Sequence, residues 1–163
     1  MTDRHAMGVE IERKFLVQRD LWHPEDEGKS YRQGYLCRDR GRTVRVRRAG
    51  EKAFLTIKGE GLGLVRPEFE YEIPAKDADE LLALCIQPLI EKRRYRVPHE
   101  GHTWEVDEFF GDNAGLLVAE IELQRADEPF AHPAWVGKEV TDDPRYQNAN
   151  LVAHPWSLWK AEV

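Results

Sequence analysis

Residues 8–17 read GVEIERKFLV. Their alternation decides the fold, because Glu10, Glu12 and Lys14 share one parity while Val9, Ile11 and Phe15 share the other. Period-two alternation predicts a β-strand, since successive side chains of a strand point to opposite faces. Such a strand buries its apolar face and shows two acids and a base on the other. That charged face either meets solvent or lines a site.

The same alternation returns along the chain. TVRVR (43–47) sets Arg45 and Arg47 against Val44 and Val46, and FLTIKG (54–59) sets Thr56 and Lys58 against Leu55 and Ile57. RPEFEYEI (66–73) aligns Arg66, Glu68, Glu70 and Glu72 opposite Phe69, Tyr71 and Ile73, and EKRRYRV (91–97) aligns Lys92, Arg94 and Arg96 opposite Tyr95 and Val97. TWEVDEF (103–109) places Glu105 and Asp107 opposite Trp104 and Val106, and VAEIELQ (118–124) places Glu120 and Glu122 opposite Ala119, Ile121 and Leu123. With the opening stretch and SYRQGYLC (30–37) these make about eight strands, a mostly antiparallel β protein.

The connections agree with that reading. RAGEK (48–52), GEGLG (59–63) and PHEGH (98–102) are short and carry Gly, as hairpin loops do. DADELLALCI (77–86) predicts a helix with Asp77 as N-cap, Glu80 in the capping-box position, an apolar stripe of Leu81, Leu82 and Cys85, and Pro88 as its stop. The tail from Pro144 to Lys160 predicts one or two short helices broken at Pro155. The chain of 163 residues, 41% apolar and without repeats, is expected to form a single domain over 1–163, with 1–7 as a flexible N-terminal extension. Neither a membrane-length apolar run nor a signal-peptide stretch is visible, so a cytoplasmic protein is expected. Cys37 and Cys85 have no metal-ligand spacing and are expected to be reduced, buried residues.

Charge separates this chain from an ordinary solvated sheet. A net charge of −6 argues against nucleic-acid binding, yet RDRGRTVRVRR (38–48) holds six arginines against one aspartate. Like charges two residues apart on one strand face lie roughly 7 Å apart. At an effective dielectric of 20 their repulsion is about 2 kcal/mol per pair before screening. Compensation comes from facing strands of opposite sign, or from ligands: cations on the carboxylates and a polyanion on the basic groups. A barrel with these faces turned inward achieves both, and leaves an apolar outer wall for helices to cover. The expected fold is therefore α+β and mostly antiparallel β, an eight-stranded tunnel-like barrel with a charged lumen flanked by a few helices. Such a lumen suits a metal-bound phosphate chain, because magnesium bridges carboxylates to phosphoryl oxygens.

The sequence EIERK (10–14) resembles the Glu-x-Glu-x-Lys signature of the CYTH, or triphosphate tunnel metalloenzyme, family. The likeness continues in order through YRQGYL, TVRVR, LTIKG, RPEFEYEI, IEKRRY, WEVDEF, AEIELQ and KEVTDDPRYQNANL, and is strongest to short bacterial members. The resemblance implies a tunnel that binds a triphosphate and a divalent ion, Mg2+ or Mn2+. It implies phosphate binding by Arg45, Arg47, Lys58, Arg66, Lys92 and Arg94, and metal binding by Glu10, Glu12, Asp107, Glu120 and Glu122. It also points to a catalytic pair, Lys14 and Tyr35.

The expected reaction is attack of water on a terminal phosphorus of inorganic tripolyphosphate, giving pyrophosphate and orthophosphate. Lys14 is then either the general base, aided by Tyr35, or a phosphate ligand, with the nucleophile generated on the Glu120 and Glu122 side. Adenylate cyclase, a nucleoside or thiamine triphosphatase, and a non-enzymatic polyphosphate or nucleotide sensor are the alternatives. Partners are expected to be a small-molecule polyphosphate or nucleoside triphosphate, with no nucleic acid and no membrane, and a homodimer is the assembly to test. His99 and His102 are expected in a solvated turn, the tryptophans on the barrel wall or its end, Asp142 or Asp143 as a helix cap, and Lys138 within reach of the tunnel.

Overall fold

The computed structural model describes residues 8–60 and 65–163. The expected N-terminal extension and most of the GEGLG turn lie outside the described residues. The strands are β1 (Val9–Val17), β2 (Lys29–Asp39), β3 (Arg42–Ala49), β4 (Lys52–Gly59), β5 (Val65–Ile73), β6 (Ile86–His99), β7 (His102–Phe109), β8 (Leu117–Glu122) and β9 (Val136–Glu139). Two α-helices, α1 (Ala75–Leu84) and α2 (Asn148–Ala153), and several single 3-10 turns complete the described chain.

Closure is made by β1. Its Val9–Ile11 pair with Val65–Pro67 of β5, and its Glu12–Leu16 pair with Val118–Glu122 of β8, so the order β1-β5-β4-β3-β2-β6-β7-β8 returns on itself as an eight-stranded antiparallel barrel. Closure satisfies backbone groups that an open sheet would leave at its edges. A further strand, β9, joins the second half of β1 where β5 has turned away, with Phe15 opposite Glu139. The alternation analysis missed β9 because its four residues, VGKE, have no clear period-two pattern.

Apolar side chains lie outside the strands, so the barrel is inverted. One cluster packs Ile11, Phe15, Trp104, Val106, Ile121 and Trp135, with Trp104 edge-on to Phe15 at 5.5 Å and to Trp135 at 5.7 Å. A second gathers Tyr35, Phe109, Leu116, Tyr146, Leu151 and Trp159 beneath the C-terminal segment. The third sets Val46 and Ala53 against Ala78, Leu82 and Cys85 of α1 and its C-cap. The tryptophans thus cover the wall and one end of the barrel, as expected.

Helix α1 corrects the sequence reading. It begins at Ala75 with Pro74 as N-cap, and no side chain makes a capping hydrogen bond, so Asp77 and Glu80 are not a capping box. Proline at this boundary is compatible with helix initiation because the first turn needs no amide donor from it. The helix ends at Leu84 rather than at Pro88, and the chain enters β6 at once, with a cis peptide between Gln87 and Pro88. Cys85 is buried as expected, whereas Cys37 is only half-buried, its Sγ facing Asp39 Oδ2 at 3.4 Å; both are free. The tail follows expectation. Asp143 caps the turn Pro144–Tyr146 by accepting from Arg145 N at 3.1 Å, α2 follows, and the chain resumes in single turns after Pro155. Lys138 is exposed on β9, outside the lining of the lumen, contrary to expectation.

Candidate active site

The polar parity of the strands encloses a cavity of about 690 Å³. Its charges divide by strand. Neighbouring strands β5, β1, β8 and β7 carry Glu68 and Glu70, Glu10 and Glu12, Glu120 and Glu122, and Glu105 and Asp107. The opposite arc, β4, β3, β2 and β6, carries Lys58, Arg45, Arg47, Lys92, Arg94 and Arg96, with Tyr31 and Tyr35 between the basic strands. Lys14 and Arg66 stand among the acids. Alternation within each strand and barrel closure together produce this arrangement.

On the acidic arc, carboxylate oxygens of Glu10, Glu12 and Glu122 lie within 4.8 Å of one another. Lys58 Nζ sits 2.7 Å from Glu10 Oε2 and 3.5 Å from Glu68 Oε2, and Arg66 Nη2 donates to Glu10 Oε1 at 3.0 Å. Although burial opposes ionisation, Lys58 and Arg66 and the hydrogen bond with Glu68 hold the Glu10 carboxyl well below the usual range. Glu12 behaves oppositely, since burial and then the charges of Glu10 and Glu120 push it up to about 8. Burial and its hydrogen bond to Glu10 also push Glu68 up to about 8. Burial and the neighbouring carboxylates thus favour the protonated form of both Glu12 and Glu68.

On the basic arc, Asp107 anchors the cations. Arg94 grips it with Nε at 2.7 Å and Nη2 at 2.8 Å, and Lys92 Nζ lies 2.7 Å from its Oδ2. Burial opposes ionisation of Asp107, but Arg94 and Lys92 hold it low. Burial depresses Lys92, against the pull of Asp107 and with the help of Arg94 and Arg47, to about 7. Tyr31 presents its ring to Arg47 at 4.9 Å and to Arg94 at 5.1 Å, a cation–π spacer between two like charges. Arg45 Nη2 donates to Thr56 Oγ1 at 3.3 Å, while its buried Nε has no hydrogen-bond partner among the described residues.

The structure brings every residue expected at the site to the lumen, although Asp107 lies beneath the cations rather than at the cavity surface. It groups Glu10, Glu12 and Glu122, and sets Glu120 against cations, 3.6 Å from both Lys14 Nζ and Arg94 Nη2. Lys14 and Tyr35 both line the cavity, but among the described residues no hydrogen bond joins them. Lys14 Nζ donates instead to the Tyr146 carbonyl at 3.2 Å. Sequence reasoning missed Tyr31, Gln33, Glu70 and Asn148. Glu70 shares the parity of Arg66 in RPEFEYEI and Tyr31 the parity of Tyr35, and those patterns could have found them; Asn148 gave no periodic signal. His102 reaches Glu128 at 2.6 Å beside the hairpin turn. Among the described residues no helix is long and apolar enough to cross a membrane.

Comparison with known proteins gives consistent likenesses. The CYTH domain family matches residues 8–154. The chain is 51% identical over 155 residues to an inorganic triphosphatase of Acetivibrio thermocellus, covering 94% of this chain and 99% of the relative. It is 38% identical over 150 residues to an inorganic triphosphatase of Nitrosomonas europaea, covering 88% and 96%. A crystal structure of an inorganic triphosphatase superposes with a TM-score of 0.61 at 35% identity, over 88% of this chain and 93% of that one.

Proposed function

Because the chain belongs to the CYTH domain family, we propose that its lumen is the active site of a metal-dependent triphosphatase that hydrolyses inorganic tripolyphosphate to pyrophosphate and orthophosphate. The observation that carries this reading is the divided lumen, in which Arg45 keeps a buried guanidinium donor without an acceptor among the described residues. Unsatisfied buried donors are rare in folded proteins. An anion that enters the lumen meets the Arg45 guanidinium and compensates its charge.

The acidic arc fits a hard divalent cation. Glu10, Glu12 and Glu122 present oxygen ligands within 4.8 Å of one another, the donor type that magnesium and manganese take. These three residues would hold Mg2+ or Mn2+, and the ion supplies positive charge to phosphoryl oxygens when bound. The protein's own groups do the rest. Arg45, Arg47, Lys58 and Arg94 bind and orient the phosphate chain, with Arg66 and Lys92 at its flanks, and their fixed charges neutralise the equatorial oxygens as the terminal bond breaks. Lys14, held by a carbonyl and by Glu120, acts as a placed cation beside the acids rather than as a base paired with Tyr35. Tyr35 closes the cavity beside the tail cluster.

The test is phosphate release from tripolyphosphate, ATP, thiamine triphosphate and pyrophosphate, each with Mg2+, Mn2+ or EDTA. Metal-dependent turnover of tripolyphosphate above that of ATP is expected. Arg45→Ala should lower it about a hundredfold, the scale of losing one transition-state donor, and Glu122→Gln should abolish the metal response. Absence of phosphate from every triphosphate would sink the proposal, and cyclic AMP from ATP would replace it with a cyclase.

A further inference from the structure

The C-terminal segment sends Asn148 into the basic arc of the lumen. Asn148 Oδ1 accepts from Gln33 Nε2 at 3.0 Å and from Lys92 Nζ at 3.1 Å. Its orientation is dictated by the chemistry of its partners. Arg47 Nε only donates, so Gln33 must turn Oε1 toward it, at 2.9 Å, and Nε2 toward Asn148. The Lys92 ammonium, 2.7 Å from Asp107 Oδ2, also only donates. Turning the Asn148 amide over would set its NH2 against two donors, so the observed orientation is the one that the buried network allows.

Both neighbours thus engage the oxygen of Asn148, and its Nδ2 has no partner among the described residues although the side chain lines the cavity. A neutral donor stands beside Lys92 and one residue removed from Arg47. We propose that Asn148 contacts the substrate: its Nδ2 donates a hydrogen bond to an oxygen of an inorganic phosphate chain held by Lys92 and Arg47. Gln33 is the positioning residue that locks the amide for this role. The inference rests on the triphosphatase reading, and it makes the C-terminal segment part of the site.

Steady-state kinetics with tripolyphosphate and Mg2+, together with thermal melts, test the assignment in Asn148→Ala and Asn148→Asp. The aspartate keeps an oxygen acceptor for Gln33 and Lys92, removes the donor and adds a negative charge, whereas the alanine removes the donor without adding charge. A substrate contact predicts that both variants lose about tenfold or more in kcat/KM, the effect of one hydrogen bond to a charged group, and that Asn148→Asp, which keeps the acceptor for Gln33 and Lys92, melts cooperatively as a folded protein. Wild-type kcat/KM in Asn148→Asp would overturn the proposal, because it would reduce the residue to an anchor for the tail. Activity within twofold of wild type in Asn148→Ala would overturn it too. If Asn148→Ala fails to fold, the aspartate variant decides alone. A wild-type protein inert on every triphosphate would instead overturn the reading on which the proposal rests.

Discussion

At Glu12, burial and the neighbouring charges of Glu10 and Glu120 push the carboxyl up to about 8, so the metal-free protein holds a proton where a cation should sit. Metal binding must displace that proton. Affinity for Mg2+ or Mn2+ is therefore expected to rise, by up to roughly tenfold per pH unit, as pH approaches 8, and to level off above it. The effect on folding has the opposite sign. A carboxyl whose pKa is raised in the native state contributes stability that is full below its unfolded value and is lost as pH rises through about 8. Titration calorimetry between pH 6 and 9, in two buffers of different ionisation enthalpy, checks the first expectation; pH-independent affinity without proton release would contradict it. Charged residues of the site were legible in the sequence because parity assigns them to one face. Gln33 and Asn148 were not, since amides leave no charge pattern and the pair is separated by 115 positions before the tail folds back.

Helix α1 shows what periodicity can and cannot fix in an element. Its buried residues, Ala78 and Leu82, follow from helical spacing, but its start is set by Pro74 and its end by the immediate turn into β6. Asp77→Ala is expected to change stability by less than about 0.5 kcal/mol, because its exposed side chain makes no capping bond. Leu82→Ala is expected to cost about 2–5 kcal/mol, because it empties the contact with Val46 and Ala53. Urea unfolding of the two variants distinguishes these roles, and equal losses would contradict the assignment. Helix α1 is also tied to the barrel through its polar face, where Asp79 accepts from Arg48 of β3 at 2.6 Å. Strand β9 escaped detection for a physical reason. Four residues on the flank of β1 bury too little to impose an alternation.

For the whole molecule, closure was legible before any coordinates, because stacked like charges need a common interior. The role of the C-terminal segment was not, since its contacts join sequence positions over a hundred residues apart. Trp159 secures that segment, fully buried, edge-on to Tyr146 at 5.0 Å and to Trp156 at 4.7 Å. Trp159→Ala is expected to cost about 3–5 kcal/mol and to raise the KM for tripolyphosphate as Asn148 loses its support. Thermal melts and kinetics on the same preparation check the coupling, and a lower melting temperature with unchanged KM would show that the tail serves stability alone. The pairing of Lys58 with Glu10 across the boundary between the two arcs has a last consequence. Each is the other's nearest counterion, with Arg66 the second partner of Glu10 and Glu68 the second neighbour of Lys58, so a metal or a phosphate chain that takes one of them alone weakens the pairing of the other. Arrival of both together is a double exchange of ionic partners, carboxylate to metal and ammonium to phosphate. Each ligand should therefore bind weakly alone and tightly in company.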